Sequence, residues 1–230
     1  MNALANPEVG KYLEEHFVCA FQKVGTFRIV GKNKQGGNVA THFCAPDGRV
    51  LHTIAGPVDA ATMLREARWI VDTATRAMKD CKGDGAVFKS ILRKAHAEKL
   101  RTDYGLVVQP TLFDAAEAQD PNGALTYRDP TGRPLAPVLP PPPIDGPDVK
   151  FQFRQAEMAK AAGAVPMLDR RGGRWALNNQ GRVHMLLAAH SMTKIEKVYA
   201  SVFEGILGER VSTRPVEIVN PFPWRRVATK

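Results

Sequence analysis

Between Val39 and Trp69 the chain reads as two short β-rich runs joined at Pro46-Asp47-Gly48 and followed by a helix, and no other stretch constrains the fold as much. Asp-Gly between such runs is a strong hairpin signal, because a type I′ turn needs φ > 0 at both central positions. Gly56-Pro57 ends the second run. Asp59 is then placed to cap a helix in which Met63, Ala67, Ile70 and Val71 share one face. The unit is β-turn-β-α.

At 230 residues, with 44% hydrophobic and 24% charged residues, the chain can bury a core as one large domain or two small ones. Residues 1–10 carry no basic segment leading into an apolar one, and no apolar run approaches bilayer thickness. The chain as written is therefore expected to be cytoplasmic, without a membrane span. Cys19, Cys44 and Cys81 are far apart, odd in number and without Cys-x-x-Cys, which argues against a disulfide scaffold or a zinc site. Buried, reduced thiols are expected.

The net charge of +9 is uneven: +2 over residues 1–80, +4 over 81–101, −4 over 102–150 and +7 over 151–230. Such a surplus suits nucleic acid, an anionic surface or an acidic partner, and also plain solubility.

Asn6-Pro7-Glu8 opens a helix with an N-cap, a proline at the first position and an acid in the first turn. Val9, Tyr12 and Leu13 form its stripe, and it ends near His16. Phe17–Phe21 is apolar enough to predict a strand buried on both faces. Phe27–Val30 suggests another strand, and Gly31–Gly37 a loop. Past the hairpin and its helix, in the basic amphipathic segment 81–101, Asp84 is placed to cap a helix from about Gly85 to Arg101 with Val87, Ile91, Ala95 and Leu100 on its apolar side.

Residues 102–150 lose periodicity, and 8 of the 17 prolines fall between Pro130 and Pro147, which predicts an extended linker. Residues 151–230 read as a helical C-terminal region with an extended tail. Phe151–Ala162 and Val183–His190 are helical, and Arg170–Trp175 is a basic, glycine-flexible segment. Thr193–Glu196 forms a capping box for a helix whose stripe is Ile195, Val198, Tyr199, Val202 and Ile206, stopping at Gly208. That stripe is too apolar to stay wet and is the candidate protein-binding face, docking on residues 1–80 or on another chain.

The order helix, strand, loop, Val39-Ala40-Thr41, hairpin, Gly56 and helix resembles the later part of a thioredoxin-like domain, over roughly residues 3–79. The resemblance implies an α/β (α+β) partial domain over 1–80, lacking the first core strand and the Cys-x-x-Cys helix start that lowers a thiol pKa. Ala40 stands at the family's cis-proline position, and a trans bond is expected there, since a cis bond before a non-proline residue costs about 2.5–4 kcal/mol. The strands at Phe17 and Val39 are expected not to be neighbours. The missing strand is expected to be supplied by direct pairing of those two, by Val216–Val219 or by an upstream start, of which the upstream start is preferred.

No phosphate loop, nucleophile elbow, paired carboxylates or metal-ligand spacing is found, so no catalytic residue, cofactor or metal is assigned. His42 and Cys44 share a strand face, and Cys44, Cys19 and Cys81 are the candidate thiols. His184 and His190 are six apart, off the spacing that joins ligands on one helix. Two functions are expected: a thioredoxin-like binding or scaffolding module without an intact redox motif, partnered by another protein or protein segment, or a basic accessory protein binding nucleic acid or an anionic surface.

Overall fold

The computed structural model describes residues 3–22, 27–30, 33–36, 38–108, 144–147, 177–209 and 217–219. Helix α1 (Pro7–His16) starts as its sequence dictates, with the Asn6 side chain accepting from the Glu8 and Val9 amides and Pro7 first in the helix. Val9 and Leu13 are buried. The strand expected at Phe17–Phe21 does not form. Residues 17–22 belong to no strand, Val18 and Phe21 are almost fully exposed, and only Phe17 turns inward, its ring 5.2 Å from that of Phe43. Apolar character alone does not make a strand when no neighbouring strand offers backbone groups to pair.

Strand β1 (Phe27–Val30) forms as expected, but part of the expected loop is also a strand, β2 (Asn33–Gly36), antiparallel to β1. The hairpin of β3 (Ala40–Cys44) and β4 (Val50–Ala55) runs in register from Ala40–Ala55 to Cys44–Val50, with a shift between Phe43 and Cys44. Its turn differs from the expected one. The Gly48 N–H donates to the Ala45 carbonyl at 2.9 Å, so Pro46 and Asp47 are the central residues and Gly48, at φ 80°, follows them. This is the longer hairpin loop in which proline leads the turn and a left-handed glycine closes it. Among the described residues no peptide bond is cis, that before Ala40 included.

Every residue of β4 is buried because helices cover both faces of the hairpin. On one side Leu51, Ile54 and Phe43 meet α1 and Met63, Ala67 and Ile70 of α2 (Ala60–Asp80), which Asp59 caps through the Thr62 amide. Behind α2 runs α3 (Gly85–Tyr104), capped by Asp84 and closed by left-handed Gly105. Its inward face is Leu92, His96 and Leu100; of the expected stripe Leu100 is buried, Ile91 and Ala95 are half-buried and Val87 is 41% exposed. Strand β5 (Leu106–Val108) then pairs with β6 (Ile144–Pro147).

The other side of the hairpin is covered by α4 (Asn179–His190) and α5 (Ile195–Ala200), which continues as a π-helical turn to Ile206. Val183, Leu186, Leu187, Val198 and Val202 pack on Val50 and Ala55, so the stripe's partner is the chain's own hairpin. Thr193 is not the cap of α5: Lys194 holds that position with no side-chain hydrogen bond, since an ammonium has no acceptor for the helix amides, and the Thr193 carbonyl accepts from the Val50 amide. Strand β7 (Glu217–Val219) pairs parallel to β1, not with β3. The fold is thus mixed, α+β. Phe151–Ala162, Arg170–Trp175 and most of the proline-rich stretch lie outside the described residues.

Candidate metal centre

Four polar side chains from four elements meet under the hairpin. His52 sits in the middle of β4, Glu66 is on α2, His96 on α3 and His184 on α4. Each element presents its residue inward for a local reason. His96 lies between Leu92 and Leu100 at i±4 on the buried stripe of α3, and Glu66 precedes Trp69 by three on α2. Gly181 lets α4 approach α3 closely, since a Cβ there would stand 3.0 Å from the Tyr104 ring. The three imidazoles are 0–1% exposed and the glutamate 3%.

His96 and His184 face each other Nδ1 to Nδ1 at 2.9 Å, and His96 Nε2 lies 2.9 Å from the Leu51 carbonyl. Glu66 Oε2 is 3.3 Å from His52 Nε2 and 3.9 Å from His184 Nε2. Its other oxygen accepts from Arg65 Nε at 3.2 Å. One nitrogen from each of the three histidines can be chosen so that all lie within 4.8 Å of one another. Trp69 presents its ring edge-on to all three, at 5.0–5.3 Å between centroids, and also lines an open cleft of about 750 Å³ with Arg65, Arg68 and Asp72. His52 Nδ1 and Glu66 Oε2 are buried with no hydrogen-bond partner among the described residues.

Burial pushes all three histidines down, His96 to about 3 and His184 well below its usual value, so the imidazoles are neutral. Burial works against the ionised form of Glu66, but the His52 contact in its Nε2–H tautomer, the charge of Lys99 and the hydrogen bond from Arg65 outweigh it and hold the carboxyl below its usual range. Neutral imidazoles and one carboxylate, gathered away from water, are the donor set of a borderline divalent transition metal ion.

The residues singled out from sequence lie elsewhere. Cys44 is half-buried, its thiol pushed up to about 11 by burial and then by Glu196 and Asp47. His42 donates or accepts at Thr53 Oγ1 (2.9 Å) and is pushed down to about 4 by burial. Cys81 ends α2, buried, with its Sγ donating to the Met78 carbonyl, whereas Cys19 is exposed against expectation because residues 17–22 join no sheet. Ala40 opens β3, half-buried. Of the stripe, Val198, Tyr199 and Val202 are buried and Ile195 and Ile206 partly so. Spacing along the chain pointed to none of the cluster His52, His96 and His184. His184 does not join His190; it joins His52 and His96. The legible signal was His96 at the i+4 position of an apolar stripe.

No protein-family model matches the chain, and no match to it was found among curated proteins or solved structures. No described helix is long and apolar enough to cross a membrane.

Proposed function

We propose that this chain is a metal-binding protein, with one divalent transition metal ion held in the centre formed by His52, His96, His184 and Glu66. The observation that carries this is the convergence of three fully buried, neutral imidazoles within 4.8 Å beside a buried carboxylate. A buried polar atom without a hydrogen-bond partner costs about 1–3 kcal/mol, and Glu66 Oε2 is such an atom, beside the imidazoles. An ion there ties α2, α3 and α4 to the hairpin. Because the residues of the centre come from separate elements and meet only in the folded chain, binding free energy becomes folding free energy. The test is thermal unfolding of the full chain with added Zn(II) and after exhaustive chelation. A midpoint raised by Zn(II), and lowered again by chelator, supports the reading; coincident transitions overturn it.

A second reading is a thioredoxin-like binding or scaffolding module without thiol chemistry. It is favoured by the Ala40–Asp80 order of strand, turn, strand and helix, and by a Cys44 thiol that stays protonated at neutral pH. Disulfide turnover by the purified chain, lost on replacing a cysteine, argues against it. A basic accessory protein remains the third, resting on the +9 charge; salt-dependent retention on heparin or DNA tests it.

A further inference from the structure

The hydrogen bonds around the centre fix which atoms face a bound ion. A carbonyl oxygen only accepts, so His96 must donate from Nε2 to Leu51 O. In neutral His96 the Nδ1 is then a lone pair, and the 2.9 Å contact requires His184 to donate from its own Nδ1. This leaves His184 Nε2 as a lone pair, 3.9 Å from Glu66 Oε2. On the other side the Gln180 amide nitrogen donates to the Thr53 carbonyl at 3.1 Å, which sets the amide's orientation, and lies 3.3 Å from His52 Nε2. An amide nitrogen cannot accept, so toward Gln180 the His52 Nε2 can offer only its lone pair, the tautomer with the proton on Nδ1. Glu66 Oε2, 3.3 Å away, is a third. With His52 in that tautomer three lone-pair atoms converge, and a cation bound there in place of the Gln180 contact, or a proton on His52 Nε2, offsets their repulsion.

We infer that the ion is held by His52 Nε2, His184 Nε2 and Glu66 Oε2, and that His96 is a positioning residue, locking His184 in the tautomer that turns its Nε2 to the metal. This rests on the metal-binding reading and deepens it. Metal–nitrogen bonds near 2.0–2.1 Å put neighbouring donors about 3.0–3.4 Å apart, so the 3.3 Å edge fits as it stands and the 3.9 Å edge closes by a few tenths of an ångström. The chain Leu51 O, His96, His184 is the outer-shell arrangement by which proteins orient a ligating imidazole. Arg65 does the same for Glu66 through Oε1. His52 keeps its proton on Nδ1, which has no partner among the described residues, a cost that the bond at Nε2 has to exceed. Two imidazoles and one carboxylate form the set used for Zn(II) and Fe(II), and they leave coordination positions for water or a small ligand.

X-ray absorption on the full-length Zn(II) protein counts the ligands directly: two imidazoles and a carboxylate are expected, and three imidazoles without carboxylate overturn the assignment. Variants give an independent readout through Co(II) titration followed by visible absorption, with circular dichroism as the folding control. Gln at 96 can accept from His184 Nδ1 and donate to Leu51 O, so His96→Gln should keep one ion per chain, an unshifted spectrum and affinity within about tenfold, while His96→Leu loses about 10- to 100-fold. Glu66→Gln should shift the spectrum and lose more than His96→Leu does. A shifted spectrum in His96→Gln together with an unshifted one in Glu66→Gln makes the site a three-imidazole one and overturns the inference. A wild-type chain that takes up no Co(II) or Zn(II) overturns the metal-binding reading itself.

Discussion

His42 and Cys44 show how far a residue's chemistry depends on what surrounds it. Their two-residue spacing on a strand was legible, but the burial that makes both neutral was not, because it comes from α5 and the π-helical turn some 150 residues later. With the thiol near 11, roughly one Cys44 in a thousand is thiolate at pH 8. Alkylation at that pH should be fast at exposed Cys19 and far slower at Cys44 and buried Cys81, as mass spectrometry of a timed iodoacetamide reaction will show; rapid labelling of Cys44 contradicts its placement. The same burial sets the acid response. The folded pKa values of His42 and His96, about 4 and about 3, lie below the ordinary 6.5, so the unfolded chain binds more protons throughout that window. Stability is full above 6.5 and is lost as pH falls, by about 1.4 kcal/mol per pH unit for each histidine until its folded pKa is reached. Thermal midpoints between pH 7 and 4 should fall steeply, and a flat profile contradicts the burial of these rings.

At the level of elements, local signals were read well and phase and partnership less so. Caps at Asn6, Asp59 and Asp84 were visible because a cap is a contact within three residues. The stripe of α3 was right at Leu100 but missed Arg93 and His96, which face inward although Val87, Ile91 and Ala95 look more apolar. Phe17–Phe21 looked like a strand only while a pairing partner was assumed. Two substitutions test the packing that did emerge. Val198→Asp puts a charge where the side chain is 0% exposed between α4 and the hairpin, and should cost about 3–5 kcal/mol or prevent folding. Gly181→Ala places a methyl 3.0 Å from the Tyr104 ring, which Asn178 holds through its hydroxyl, and should cost about 1–3 kcal/mol. It should also weaken metal uptake by pushing His184 away from His96. Chemical denaturation measures the first quantity and Zn(II) titration the second.

Across the whole molecule, the sequence carried the α+β character and the docking of the C-terminal helices, but not the centre they enclose. Residues 52, 66, 96 and 184 have no common spacing, and each alone is an ordinary strand or helix position. They meet only because α2 and α4 cover the hairpin and α3 lies against both. Within that arrangement the histidines and Glu66 form a buried polar cluster, the one proposed to hold a divalent ion. The most direct check is native mass spectrometry of the full chain after equilibration with Zn(II), beside the Glu66→Gln and His184→Gln variants. The account predicts one Zn(II) per wild-type chain, retained through desalting and largely lost from both variants; a wild-type chain that stays metal-free, or variants that keep the ion equally well, would contradict it.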